Sequence, residues 1–132
     1  MRALLDTHIF LWWFSEAPRL SPKQKAVLKG ASEAEPVWVS DITLWEIATL
    51  ISLQRIQLDL PLREWLERAT ASPLVQRQAI TPAIAAEVAA LPDSFHRDPA
   101  DRIIVASARV LGATLLTQDS RITDAGLVPT LG

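Results

Sequence analysis

Apolar positions along the chain fall into short runs that switch between a strand-like and a helix-like period. Residues 2–5 form an apolar run that stops at Asp6 and predict a first, buried strand. Residues 8–15, with Trp12, Trp13 and Phe14, predict a helix. Ser21-Pro22 supplies an N-cap and first helical residue for a helix over 22–30, ended by Gly30. A second strand is predicted at 36–39. Ser40 or Asp41 then caps a helix running to about Leu53. Leu62, Trp65, Leu66 and Ala69 at helical spacing predict a helix over 61–71. A strand over 74–80 follows, and Thr81-Pro82 opens a helix to Leu91. Asp98-Pro99 opens the longest helix, 99–111, stopped by Gly112. Residues 113–117 predict a strand, 119–125 a helical turn and 127–130 a last strand.

Strands alternating with helices point to an α/β fold with a central parallel β-sheet flanked by helices on both faces. The whole chain, 1–132, reads as one domain without repeats, low-complexity tracts or a linker. Parallel sheets of this kind take ligands at the carboxyl ends of their strands.

Composition narrows the class. At 49% hydrophobic and 21% charged, the chain is globular, and 132 residues suffice for a real core. The absence of cysteine excludes disulfides and thiolate metal sites and fits a cytoplasmic location. No signal peptide or apolar stretch long enough to span a bilayer is visible, so no membrane association is expected. A net charge of −2 argues against a broad basic surface. It leaves a nucleic-acid ligand open, because cations bound at an acidic site reverse the local charge.

Four acids change the picture: Asp6 in LLDTH, Glu46 in LWEIA, Asp101 in HRDPADRIIVASA and Asp119 in LLTQD. Each lies beside an apolar run, where an acid rarely sits without a partner. Asp6 and Asp119 fall at predicted strand ends, Asp101 in the first turn of a helix, and Glu46 one turn inside its own. Converging carboxylates repel: a pair about 4 Å apart costs on the order of 4 kcal/mol at an effective dielectric near 20. No run of buried Lys or Arg offsets this, so the pattern points to a divalent cation and metal-dependent chemistry.

Each acid also has a plain structural reading. Asp6 and Asp119 are good helix caps. Asp98 fits an N-cap with Asp101 as a first-turn acid favoured by the helix dipole. These two lie three residues apart and share a face, so one can cap while the other binds. For Glu46, the only charged residue between Asp41 and Arg55, spacing leaves two readings open: a solvated position or a functional acid. Thr7 and Thr117 are placed to hydrogen-bond a carboxylate. Arg102, next to Asp101, suggests an ion pair that steadies the acids. His8 and His96 lack ligand spacing and read as structural or supporting residues. The Trp12-Trp13 pair reads as core or interface packing in preference to base stacking.

At these residues the chain resembles the PIN-domain ribonucleases, in particular the VapC-type toxins of bacterial toxin–antitoxin pairs. The matching stretches are LLDTHIFLWWFSE, the PRLSP that follows, SDITLWEIA, LPDSFHRDPADRIIVASA and LLTQDSRI, in family order across nearly the whole chain. The resemblance implies a PIN-like α/β domain and a metal-dependent endoribonuclease using Mg²⁺ or Mn²⁺. Asp6, Glu46, Asp101 and Asp119 match the metal-binding, catalytic acids, and Asp98 belongs to the same motif. It also implies hydrolysis of single-stranded or loop RNA to 5′-phosphate and 3′-hydroxyl ends. As partners it implies a small antitoxin along the N-terminal helices, sending a basic residue towards the acids, and a homodimer through other helices. The chain departs from the pattern at Gln54, where related chains often carry glycine in a turn away from the acids.

Two other classes compete. A phosphoacceptor signalling domain needs paired acids after the first strand and a Lys near the last; neither is present, and no Lys follows Lys29. A non-enzymatic interaction module, with every acid a helix cap, predicts no response to metal.

Overall fold

A computed structural model of the chain describes residues 1–15 and 19–132. The matching stretches LLDTHIFLWWFSE and PRLSP extend into residues 16–18, which lie outside the described residues. Five strands form one parallel sheet: β1 (Ala3–Leu5), β2 (Val37–Ser40), β3 (Val75–Gln78), β4 (Thr114–Leu116) and β5 (Thr130–Leu131). The helices are α1 (Thr7–Phe14), α2 (Pro22–Lys29), α3 (Asp41–Ser52), α4 (Leu62–Ala71), α5 (Pro82–Ala90), α6 (Pro99–Leu111) and α7 (Ser120–Ala125). Among the described residues, no helix is long and apolar enough to cross a membrane.

The spatial order of strands is β3-β2-β1-β4-β5. The chain moves outward from β1 to β3, then returns across the sheet to lay β4 on the other side of β1. That reversal opens a crevice at the carboxyl ends of β1 and β4, where doubly wound sheets bind ligands.

Strand alternation sorts the core into two layers. Ala3 and Leu5 of β1 and Leu116 of β4 pack with Ile9, Phe10, Leu28, Ile47 and Trp65, from α1 to α4. Leu4 and Leu115, pointing the other way, pack with Ile84, Ile104, Val105 and Ile122 from α5, α6 and α7. Helices therefore cover both faces, as the strand–helix alternation predicts.

Local signals account for most boundaries. Ser21 and Gln24 form a reciprocal capping box at the start of α2. Of the two candidate caps for α3, Ser40 is the one used, its hydroxyl accepting from the Ile42 N–H at 3.2 Å. Gly112 ends α6 at φ 61°, a conformation that only glycine adopts without a steric penalty. The last strand lies later than the apolar run 127–130 suggests, because its register on β4 pairs Thr130 with Leu115 and Leu131 with Leu116.

Candidate active site

Three acids reach the crevice as helix caps. Asp6 follows β1 directly and caps α1: Oδ1 accepts from the Thr7 N–H at 2.8 Å. Asp98 caps α6 through Oδ1 and the Asp101 N–H at 3.0 Å. Asp119 follows β4 and caps α7 through Oδ1 and the Arg121 N–H at 2.9 Å. The structural reading of these residues is thus correct as geometry. Capping needs only one carboxylate oxygen, however, and a carboxylate offers two. Asp6 engages its second oxygen across the site with Thr117, and Asp119 engages its own with Arg121 of the helix it caps, so capping and clustering coexist.

Ligand oxygens of Glu46, Asp98 and Asp101 lie within 4.8 Å of one another. Asp6 and Asp119 line the same cleft, with Thr7, His8, Leu50 and Arg121. Glu46 stands on the second turn of α3, and Asp101 on the first turn of α6. Both helices begin at the same edge of the sheet, which brings together residues distant in the chain.

A set of donors orients the acids. The Thr117 hydroxyl donates to Asp6 Oδ2 at 2.7 Å, and His8 Nδ1 lies 3.5 Å from the same oxygen. The Thr7 hydroxyl donates to Glu46 Oε1 and lies 3.0 Å from the Thr43 hydroxyl. His96 Nε2 meets Asp101 Oδ2 at 2.7 Å. The two histidines that lack ligand spacing thus both contact acids.

The electrostatics are those of an acid cluster. Burial raises the pKa of Glu46; the Thr7 hydrogen bond lowers it, but the charges of Asp101, Asp6 and Asp98 raise it further. Burial likewise raises Asp101. The His96 hydrogen bond opposes this, and the charges of Asp6 and Asp98 add to it. Asp119 shifts the other way: burial would raise it, but hydrogen bonds and charge from Arg121 together outweigh that.

Arg121 also corrects the reading of Arg102. The Arg102 guanidinium makes no ion pair with the acids among the described residues. It donates to the carbonyls of Phe95 and His96 at 3.0 and 3.3 Å and lies over the Phe95 ring. One residue beyond Asp101 on a helix is a turn of about 100°, which carries the side chain away from the cleft. The cation at the acids is Arg121, with Nη2 3.0 Å from Asp119 Oδ2 and 3.6 Å from Asp101 Oδ2. The only signal for it in the sequence is its place two residues after Asp119, where the cap turns its side chain back onto the capping acid.

What this donor set fits follows from its chemistry. Carboxylate oxygens gathered from several elements, with no sulfur and no histidine pair at ligand spacing, suit a hard divalent cation such as Mg²⁺ or Mn²⁺.

Comparison with known proteins places the arrangement in a family. Residues 3–127 match the PIN domain. Ribonuclease VapC22 of Mycobacterium tuberculosis is 40% identical over 119 residues, 90% of this chain and 88% of the relative. Among solved structures, VapBC2 from Rickettsia felis, bound to a DNA fragment from its promoter, matches with a TM-score of 0.73 at 14% identity, covering 99% of this chain and 98% of that one. A toxin–antitoxin complex from Klebsiella pneumoniae matches at 0.66 and 21% identity, covering 98% and 96%. The family match over nearly the whole length, the 40% identity and the five-stranded parallel sheet with acids at its switch point agree: the chain belongs to the PIN-domain family.

Proposed function

We propose that this chain is a divalent-metal-dependent endoribonuclease and the toxin half of a toxin–antitoxin pair. The observation that carries the reading is the convergence of Glu46, Asp98 and Asp101 in one cleft with Asp6 and Asp119. Support comes from the 40% identity to a protein named as a ribonuclease.

Asp6, Glu46, Asp101 and Asp119 are assigned as metal-binding, catalytic acids, with Asp98 as a further candidate ligand. A divalent cation held there would supply positive charge that offsets the acids, would polarise a phosphodiester oxygen and would lower the pKa of water so that hydroxide is available as the nucleophile. The chain's own groups supply orientation. Thr117 and the Thr7 N–H hold both oxygens of Asp6, the Thr7 hydroxyl holds Glu46, and His96 holds Asp101. Arg102 acts at one remove, by anchoring the backbone carbonyl of His96. Burial and neighbouring acids raise the pKa of Glu46 and Asp101, and a cation held there would favour their carboxylate forms.

RNA with exposed bases is the assigned substrate, since a flexible single strand can enter an open groove. The assigned products carry 5′-phosphate and 3′-hydroxyl ends. The purified protein is expected to cut RNA with Mg²⁺ or Mn²⁺ and to stop in excess chelator. Homogeneous cleavage that survives chelator and Asp6→Asn would sink the mechanism. Mapping cleavage sites on total RNA after induced expression identifies the target.

The antitoxin is assigned to the apolar groove beside α1, lined by Leu11, Trp12, Phe14, Ile56, Leu58 and Trp65. Phe14 is 42% exposed there, apolar area of the kind a partner covers. Expression alone should arrest growth, and co-expression of the adjacent small gene should relieve the arrest. A homodimer through other helices and a cytoplasmic location complete the reading. Sedimentation of the pure chain and cell fractionation test these two points.

A further inference from the structure

We propose that Arg121 is a counter-ion built into the acidic cleft. It bridges Asp119 and Asp101 while the acids hold no cation, and when a divalent cation takes those oxygens it is released to bind the phosphodiester of the RNA. This inference rests on the metal-dependent reading above.

Five carboxylates line the cleft, and Arg121 is the one guanidinium among its lining residues. Its fork grips Asp119 at both oxygens, Nε to Oδ1 at 3.3 Å and Nη2 to Oδ2 at 3.0 Å, and Nη2 reaches Asp101 Oδ2 at 3.6 Å. These are oxygens a metal would use. A divalent cation and a guanidinium repel each other, so the two cannot share them.

The burial pattern shows which partner moves. The side chains of Asp101 and Asp119 are 10% and 20% exposed, whereas that of Arg121 is 61% exposed. The acids are set in the protein, and the guanidinium reaches over them from the rim on a solvated stem. Arg102 is the contrast: it is buried and tied to two carbonyls, and it has no freedom to leave.

Displacement also has a destination. Arg121 lines an adjoining hollow with Ser94, Phe95, His96 and Asp124. From that rim, the planar fork that fits a carboxylate fits two oxygens of a phosphodiester equally well. The same residue thus restrains the charged, metal-free site and engages substrate once the site is loaded.

Manganese binding to the full chain without RNA, measured by calorimetry, tests the first half; steady-state cleavage tests the second. Arg121→Gln should bind Mn²⁺ at least about threefold more tightly than wild type, the scale of releasing an exposed ion pair. It should raise KM for RNA about tenfold, through one lost charge-assisted contact, with less effect on kcat. Arg97→Gln is the control for general field effects: Arg97 pairs with Asp93 outside the cleft, and its loss should leave Mn²⁺ affinity unchanged. If Arg121→Gln does not fold, Arg121→Lys carries the test. An ammonium cannot span both acids, so its Mn²⁺ affinity should also exceed wild type. Unchanged or weaker Mn²⁺ affinity in the Arg121 variants, or an equal gain in Arg97→Gln, overturns the inference while wild-type binding and cleavage leave the parent reading standing. A wild type that neither binds Mn²⁺ nor cuts RNA removes both.

Discussion

Leu5 and Asp6 are adjacent and almost equally buried, 0% and 3% exposed, yet they belong to opposite regimes. Leu5 enters an apolar layer with Ile9, Phe10 and Leu116, where every contact favours the fold. Asp6 enters a cleft with Glu46, Asp98, Asp101 and Asp119, where burial and like charge raise the pKa of Glu46 and Asp101. The same contrast recurs on α6, between Asp101 at its start and Ile104 one turn on. Burial therefore does not by itself indicate stabilisation. One edge of the sheet is kept under electrostatic strain, and the two layers beside it hold the fold that bears the strain.

The sharpest way to break this comparison is to change one residue on each side of it. Asp101→Asn should reduce cleavage by more than the roughly 10–100-fold typical of residues that only support a metal ligand. Its metal-free fold should melt at the wild-type temperature or higher. Ile104→Ala, fully buried in the second layer, should instead cost about 2–5 kcal/mol, with activity per folded molecule retained. Denaturant melts and cleavage rates on both variants check the pair. Parallel losses of stability and activity in both would erase the distinction.

Metal should move the two regions apart in one protein. Adding Mn²⁺ at about a hundred times its dissociation constant should stabilise wild type by about 2.7 kcal/mol. Asp101→Asn should lose most of that shift. Thermal melts with and without Mn²⁺ supply the readout, and no shift in wild type would favour acids that only cap helices.

The pH dependence of the metal-free fold has a defined sign. Glu46 and Asp101 have raised pKa values, so the fold binds their protons more tightly than the unfolded chain does. Their contribution is full below the unfolded values and is lost as pH rises through the folded ones. The metal-free protein should therefore weaken as pH climbs from about 4 through that range. Asp119, lowered, contributes oppositely: its share is present above the unfolded value and lost as pH falls through the folded one. Urea midpoints across pH should show the upper loss flattened in Asp101→Asn and reversed by Mn²⁺.

A smaller effect separates capping from the other work of Asp98. Asp98→Asn should leave the unfolding free energy within about 0.5 kcal/mol of wild type, since Asn caps equally well. It should still lower the cleavage rate, because the cluster with Glu46 and Asp101 loses a charge. Unchanged cleavage would reduce Asp98 to a cap. The smallest change expected lies far from the cleft. Gln54 holds a left-handed backbone, φ 57°, a conformation that favours glycine. Gln54→Gly should stabilise by about 1 kcal/mol with activity unaltered, as a melt and a rate would show.

Much of this was legible along the chain because it is written in local chemistry. Short apolar runs placed the strands, Ser21, Thr81, Asp98 and Gly112 marked helix ends, and the same runs located Asp6, Asp101 and Asp119 at strand and helix termini. These signals act within about one helical turn or one strand pleat, so adjacent residues suffice to read them. The resemblance supplied the family and the roles proposed for the acids, which periodicity alone does not distinguish from caps.

What tertiary structure decided is which groups meet. Strand order β3-β2-β1-β4-β5 sets β4 beside β1, and only then can the Thr117 hydroxyl reach Asp6 across 111 residues of chain. The Thr7 contact with Glu46 needs α1 and α3 to start at one edge, and His96 reaches Asp101 only because its loop folds back. Arg102, adjacent to an acid in sequence, faces away; Arg121, far from Asp101 in the chain, lies over it. A carboxylate's partner is chosen by direction and distance in space, at a range of about 3 Å, and those are set only when the layers pack.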